Sequence, residues 1–352
     1  MLLSEYDYEL PEKLIAQRPA DKRENSRMMV LDREKQSIEH KHFYDIIDYI
    51  DKDTLLVLNN TKVLPARLLG HKDTGAKIEV FLLKPLGEKN SNSWDVLIKP
   101  SKRIKPDMVI KISDELAVKA VKRLEENGEW QVELLFDESA NIMDILHRNG
   151  NIPLPPYIER KIPNEDLKKL DFERYQTVYA KDEGSVAAPT AGLHFTKEIL
   201  KKLENKGVEL CYVTLNVGLG TFRPVQCENI LEHKMHSESF EISEHAAAQI
   251  NEAKKNRKKI LAVGTTTVRT LETAFQKYGC IKACRDSSEL FIYPPYEFKV
   301  IDNLLTNFHL PKSTLLMLVS ALAGKDFIFE AYKQAIKNNY RFFSYGDCML
   351  IK

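Results

Sequence analysis

The hydrophobic pattern of this chain changes from mixed helix and strand to strand alone at Pro65, and it changes back after Pro155. Within that interval, strand-like runs such as 77–83 and 129–135 are separated by clusters of Gly, Asn, Ser and Pro, which are typical of turns. A long block without a helical pattern cannot continue an α/β layer. We therefore expect residues 65–155 to form a small, inserted, all-β domain that resembles a barrel.

Helices and short strands alternate on both sides of the insert. Apolar runs suited to buried strands occupy 54–58 and 259–263, and a helical pattern follows the second of them from Val268 to Tyr278. Such alternation is typical of α/β proteins. The predicted fold class is α/β, with a discontinuous main domain made of residues 1–64 and 156–352.

Charge and apolar content exclude several classes of protein. With 52 Lys and Arg against 51 Asp and Glu, the chain has no overall basic field for nucleic acid, so any such contact must use local patches. The longest apolar run, 315–323, is about half of the roughly 20 residues that a membrane-spanning helix needs. The N-terminus has no secretion signal, and the five scattered cysteines favour free thiols. We expect a cytoplasmic protein without a membrane segment or a metal site.

One candidate ligand loop lies between a predicted strand and a helix. The segment 264–272 brings backbone N–H groups, threonine hydroxyls and a helix dipole to one point, with Thr265, Thr266 and Arg269 as candidate contacts. Together they favour an anion or a polar ligand. An ordinary threonine-capped helix with a surface pair between Arg269 and Glu272 explains the segment equally well.

Three further segments combine small or structural residues with imidazoles. The segment 184–195 places small residues beside His194, and small residues allow close backbone approach to a ligand. His236 and Glu238 share one face of an extended strand, which suits acid/base or substrate-binding work or a solvated polar edge, and less well a metal site. In 306–314, a helix cap explains the Pro and Ser residues but leaves Asn307 and His309 unexplained.

Taken together, the motifs resemble one known family along the full length of the chain. This is the S-adenosylmethionine:tRNA ribosyltransferase-isomerase family of queuosine biosynthesis, usually called QueA. The matching strings are YDYELP (6–11), SR (26–27), LNNTKVLPAR (58–67), PTAGLHF (189–195), MHSE (235–238), GTT (264–266), TNFHLPKSTL (306–315) and RFFSYGD (341–347).

The resemblance implies an α/β domain interrupted by a small β-barrel and an unusual use of S-adenosylmethionine. Its ribosyl part is moved to 7-aminomethyl-7-deazaguanine at the tRNA wobble position, which gives epoxyqueuosine and releases adenine and methionine. S-adenosylmethionine is then a consumed substrate, and no further cofactor is implied. The expected partner is a tRNA with a GUN-type anticodon, and a monomer is expected.

The resemblance also implies roles for individual residues. Proton transfer near the ribose 5′ carbon and the departing adenine needs a base and an acid, and the candidates are Glu238, His236 and His194. The implied substrate-binding residues are Arg27, Asn60, Thr61, Arg67, Thr190, Gly192, Gly218, Gly220, Thr221, Thr265, Thr266, Arg269, Asn307 and His309.

The chain departs from the family pattern at several positions, of which two bear on chemistry. Asn60 stands where Asp is usual, and Asn216 stands where His is common. Neither amide gains or loses a proton near neutral pH, although both can form hydrogen bonds. We therefore assign no acid/base role to either residue.

Two other functions remain open on the residues alone. A non-enzymatic tRNA- or ribosome-binding factor would use the polar loops only as RNA contacts. A methyltransferase would use the same sulfonium donor but leave S-adenosylhomocysteine. The products distinguish all three functions.

Overall fold

Strands and helices alternate in the main domain, whereas six strands follow one another in the insert. The computed structural model describes residues 1–87, 91–124, 128–137, 139–160, 164–218 and 225–352. Within these ranges the strands are β1 (Arg27–Asp32), β2 (Ser37–His42), β3 (Thr54–Asn59), β4 (Thr61–Val63), β5 (Arg67–His71), β6 (Lys77–Pro85), β7 (Ser93–Lys99), β8 (Val109–Lys111), β9 (Ala117–Arg123), β10 (Trp130–Leu135), β11 (Asp182–Ser185), β12 (Glu209–Leu215), β13 (Glu238–Ile242), β14 (Lys259–Val263), β15 (Cys284–Ser288), β16 (Asn303–Asn307) and β17 (Cys348–Ile351). The α-helices are α1 (Ile46–Tyr49), α2 (Ile142–Asn149), α3 (Glu165–Arg174), α4 (Lys197–Asn205), α5 (Glu244–Lys255), α6 (Thr265–Tyr278), α7 (Thr314–Ala323) and α8 (Lys325–Lys337).

A mixed sheet of nine strands forms the centre of the main domain, in the order β15-β13-β12-β3-β14-β16-β17-β1-β2. Its inner strands β12, β3, β14 and β16 run parallel. Alternate residues of β3 enter different cores: Leu55 and Val57 pack on the side of α5 to α8, whereas Leu56 and Leu58 pack on the side of α4. Burial on both faces explains why β3 is a continuous apolar run.

The insert is a closed, six-stranded antiparallel barrel in the order β10-β7-β6-β5-β8-β9. In β6, Ile78, Val80 and Leu82 are buried in the barrel core, and the residues between them are less buried. This period of two is the pattern that predicted strands from the sequence. The predicted fold class, α/β with an inserted all-β barrel, is confirmed.

The start of α6 lies three residues earlier than the sequence predicted. Gly264 stands at its N-cap with φ +86°, a left-handed conformation that glycine adopts without steric cost, and Thr265 is the first helical residue. The sharp turn after β14 therefore brings Thr265 and Thr266, rather than Val268, to the helix N-terminus. This shift decides which side chains face the end of the sheet.

No helix in the described part of the chain is long and apolar enough to cross a membrane. In the same ranges, no group of three or more His, Cys, Asp or Glu residues is placed to hold a metal ion.

Candidate active site

A cavity of about 200 Å³ lies at the carboxyl ends of β14 and β16. These two strands are parallel neighbours, and the carboxyl edge of such strands is where α/β proteins bind ligands. Strand β14 is followed by α6, and β16 is followed by a turn that leads to α7. Of the residues implied by the family resemblance, the cavity is lined by Thr190, Thr265, Thr266, Asn307 and His309.

Two helix N-termini contribute to the lining. Thr265 and Thr266 open α6, and Ser313 and Thr314 open α7. The Ser313 hydroxyl already caps α7, since its Oγ accepts a hydrogen bond from the Leu316 N–H at 3.2 Å. Two helix dipoles with positive ends at one cavity stabilise a negative group.

Asn307 carries a buried acceptor in this wall. Its amide nitrogen donates to the Phe343 carbonyl at 3.0 Å and lies 3.3 Å from Nε2 of His194. Its Oδ1 is buried and has no hydrogen-bond partner among the described residues. Because an unpaired buried oxygen is costly, this atom points to a ligand that donates a hydrogen bond.

His194 fixes the orientation of the Asn307 amide. The Ser26 hydroxyl donates to the Arg23 carbonyl at 3.1 Å, so it accepts a hydrogen bond from Nδ1–H of His194 at 2.6 Å. Nε2 of His194 is then the atom that accepts from Asn307. Both ring nitrogens are thus occupied, and His194 lies behind the cavity lining rather than in it.

His309 is a buried imidazole in the cavity wall. Its Nε2 lies 3.0 Å from the Thr306 hydroxyl, whereas Nδ1 has no partner among the described residues. Burial lowers the pKa of His309 to about 3, so the ring is neutral at physiological pH. A neutral imidazole with one unpaired nitrogen can donate or accept a hydrogen bond at a reacting atom.

Aromatic side chains form much of the remaining wall, and sequence reasoning missed them. Tyr157, Phe308 and Phe343 line the cavity, and the rings of Tyr157 and Phe343 are 4.9 Å apart. Phe343 adopts φ +70° and Lys312, also in the lining, adopts φ +56°. Left-handed backbone at non-glycine residues is uncommon and concentrates at functional sites. The available signal was the RFFSYGD string, which the resemblance used only for recognition.

No Asp or Glu occurs among the described lining residues. A cationic ligand group would therefore face aromatic rings, which attract cations through their π faces.

Glu238 and Arg269 form a buried ion pair outside the lining. Nη1 of Arg269 donates to Oε2 of Glu238, while its other nitrogens donate to the carbonyls of Leu290 at 3.2 Å and Ser288 at 3.1 Å. Glu238 also accepts from the Gly218 N–H at 3.1 Å. The alternative interpretation, a surface pair of Arg269 with Glu272, is wrong, because the Glu272 carboxylate accepts hydrogen bonds from the N–H groups of residues 299–301. These contacts indicate that Arg269 joins α6 to β13 and β15.

Five more predicted residues lie away from the cavity lining. His236 is exposed. The Arg27 guanidinium stacks on Tyr340 at 3.7 Å. Arg67 pairs with Glu79 in the barrel at 2.6 Å, Asn60 bonds Asp182 at 3.1 Å, and the buried Thr61 bonds Asn216 at 2.9 Å.

The predicted glycines have different surroundings. A Cβ on Gly192 would lie 2.0 Å from the Tyr179 hydroxyl, so packing alone demands glycine there. Gly218 donates its N–H to Glu238. Gly220 and Thr221 lie outside the residues that the structure describes.

The two buried histidines predict a pH dependence of stability. Burial lowers the pKa of both to about 3, with the charges of Arg341 and Arg23 contributing at His194. In the unfolded chain each histidine has a pKa near 6.5. Below that pH the unfolded state therefore binds protons, whereas the folded state does not. Stability present above pH 6.5 is therefore lost as pH falls, by about 1 kcal/mol per histidine between pH 6.5 and 5.5.

Urea unfolding at pH 6.5 and 5.5 measures this loss. His309→Gln is expected to show a smaller decrease than the parent protein, by about 1 kcal/mol. His71→Gln, at an exposed position in the barrel, is the control and should behave like the parent. Equal decreases in His309→Gln and the parent would show that His309 is not held neutral.

Comparisons with known proteins agree over the whole chain. A family model described as "Queuosine biosynthesis protein" matches residues 3–351. Two proteins named S-adenosylmethionine:tRNA ribosyltransferase-isomerase, from Sulfurihydrogenibium sp. and Acetivibrio thermocellus, are 53% and 51% identical to this chain. Each alignment covers 100% of both chains. A crystal structure of S-adenosylmethionine tRNA ribosyltransferase from Thermotoga maritima is similar with a TM-score of 0.55 and 38% identity, over 99% of this chain and 100% of that one.

Proposed function

The chain belongs to the queuosine biosynthesis protein family, and we propose that it transfers and isomerises the ribosyl moiety of S-adenosylmethionine on tRNA. The observation that carries this proposal is the full-length identity of 50–53% to proteins named for that reaction. The chain is thus an enzyme with two substrates, tRNA and S-adenosylmethionine. The acceptor is 7-aminomethyl-7-deazaguanine in a GUN-type anticodon, and the products are epoxyqueuosine-tRNA, adenine and methionine.

The cavity between α6 and α7 is the proposed S-adenosylmethionine site. The two helix N-termini hold the methionine carboxylate, and Tyr157 and Phe343 lie beside the sulfonium. Oδ1 of Asn307 accepts a hydrogen bond from an N–H group of the same substrate. These contacts fix the ribose so that binding energy places its 5′ carbon for proton transfer.

His309 is the proposed group at the reacting atoms. Its neutral, buried ring donates a hydrogen bond to the charge that develops on the departing adenine. The 3.0 Å contact with Thr306 fixes the ring orientation. Glu238 and His194, by contrast, hold the surrounding structure.

The remaining parts of the proposal concern cofactor and assembly. The sulfonium of S-adenosylmethionine activates the ribose itself, so the reaction needs no further cofactor. We propose a monomer as the active form. We place the enzyme in the cytoplasm, where its tRNA substrate resides.

Product analysis tests this function against the two alternatives. Enzyme, S-adenosylmethionine and tRNA carrying the deazaguanine precursor are incubated, and the small molecules are separated by mass spectrometry. Equal amounts of adenine and methionine are expected. S-adenosylhomocysteine would instead show methyl transfer, and an unchanged S-adenosylmethionine pool would leave only a tRNA-binding role.

Asn307→Leu is predicted to weaken binding of S-adenosylmethionine by roughly tenfold or more, because it removes an acceptor from a charged or polar donor in a buried wall. Calorimetry measures the Kd. Asn60→Leu is the matched control, since Asn60 bonds Asp182 outside the cavity lining and its loss should change the Kd little. A normal Kd for Asn307→Leu would remove Asn307 from the substrate site.

A further inference from the structure

A second, smaller pocket of about 20 Å³ lies beside the cavity. Arg23, Arg174 and Arg341 line it together with His194 and Ser344. Ser344 also lines the larger cavity, and His194 contacts Asn307 in the wall of that cavity. The two pockets are therefore neighbours that share a wall.

The pocket has an excess of positive charge. Arg23 donates to the carbonyls of residues 193 and 173 at 3.0 and 2.9 Å, and Arg174 donates to those of residues 21 and 20 at 3.1 and 2.7 Å. Neither guanidinium forms an ion pair with a carboxylate among the described residues. Arg341 has a contact of 3.5 Å with Asp347.

Two observations indicate that this charge is not compensated internally. Nε of Arg174 is buried and has no hydrogen-bond partner among the described residues. The pKa of Arg23 is lowered, first by burial and then by the positive charge of Arg174, although the Glu173 charge acts in the opposite direction. An anion in the pocket would supply both the missing acceptor and the missing charge.

Resting on the proposed function, we propose that this arginine pocket binds a backbone phosphate of tRNA, next to the nucleotide that enters the cavity. A volume of about 20 Å³ admits about one phosphate oxygen and no base or amino acid, so the rest of the phosphate would lie at the mouth of the pocket. Guanidinium groups match phosphate oxygens in two-pronged hydrogen bonds. A phosphate held here anchors the RNA strand. The neighbouring base then enters the larger cavity, on the other side of the shared wall, where the ribosyl donor is bound.

Arg341→Gln is the main test, because the Arg341 guanidinium makes only a 3.3 Å hydrogen bond to the Arg18 carbonyl and the long contact with Asp347. Its loss should leave the fold and S-adenosylmethionine binding unchanged, because the buried Asp347 carboxylate keeps the hydrogen bonds that it accepts from the backbone N–H groups of Arg27 and residue 341. The Kd for precursor-bearing tRNA is expected to rise about tenfold. The slope of log K against log salt concentration should become shallower by about 0.7, as for one lost contact to a single strand.

Arg285→Gln is the matched control, since Arg285 is 82% exposed and lies on β15. It should keep the parental tRNA affinity and salt slope. A parental affinity and slope for Arg341→Gln would overturn the proposal. So would a loss of S-adenosylmethionine affinity without loss of tRNA affinity, because the anion would then be the methionine carboxylate.

The outcome separates this inference from the proposed function. If the parent releases adenine and methionine while Arg341→Gln binds tRNA normally, the phosphate site is wrong and the reaction stands. If the parent releases neither, the reaction itself is wrong.

Discussion

Replacing His309 by Gln is expected to lower kcat for ribosyl transfer by about 10²–10³-fold. This is the usual loss when an enzyme is deprived of one hydrogen-bond donor to a developing charge. The affinity for S-adenosylmethionine should change far less, because the interaction strengthens only in the transition state. Since burial holds the pKa of His309 near 3, kcat should show no decrease near pH 6.5 that depends on this ring. Adenine release under saturating substrates is the measurement.

His236→Gln is the matched control for His309→Gln. His236 was one of the two imidazoles, with His194, that the resemblance made catalytic candidates, but its side chain is exposed and does not line the cavity. We expect parental kcat and Kd for this variant. If His236→Gln lost turnover and His309→Gln kept it, the chemistry would lie outside the cavity.

Arg269→Met is expected to lower the free energy of unfolding by about 3–5 kcal/mol, because it takes the cation away from a buried carboxylate. The Arg269 and Glu238 side chains are only 6% and 3% exposed. Two further hydrogen bonds, to Leu290 and Ser288, are lost with the guanidinium. Urea unfolding gives the free energy directly.

Arg285→Met is the control for this experiment, since Arg285 pairs with Glu241 at 82% and 45% exposure. An exposed ion pair contributes about 0–1 kcal/mol, so this variant should resemble the parent. Glu238→Gln separates structure from catalysis: we expect reduced stability with parental turnover for each folded molecule. A parental stability and a loss of turnover would make Glu238 a proton carrier instead.

The fold class was predictable because each layer leaves a periodic signal. The alternation in β6 follows from burial on one face of the strand. The continuous apolar run of β3 follows from burial on both faces. The limits 65–155 of the insert remain a prediction, since the barrel strands themselves extend from Arg67 to Leu135. The family is confirmed over residues 3–351.

The site was predictable only where local sequence fixes the geometry. Thr265 follows the predicted strand 259–263, so the α/β rule places it at the carboxyl edge of the sheet. Strand β16, which ends at Asn307, was not predicted, so the meeting of Asn307 with Thr265 is seen only in the structure. The pairing of Arg269 with Glu238 depends on how α6 packs against β13, which no local pattern encodes. For the same reason, the series of hydrogen bonds from Ser26 through His194 to Asn307 is visible only in three dimensions.

The most direct test of the whole account follows the carbon atoms of S-adenosylmethionine into tRNA. Two preparations are compared, one labelled with ¹³C in the ribose and one in the methyl group, each with precursor-bearing tRNA. Mass spectrometry of the modified nucleoside should show the complete ribose label and no methyl label, with free adenine and methionine in equal amounts. A methyl label in the tRNA, or a nucleoside without any label, would contradict it.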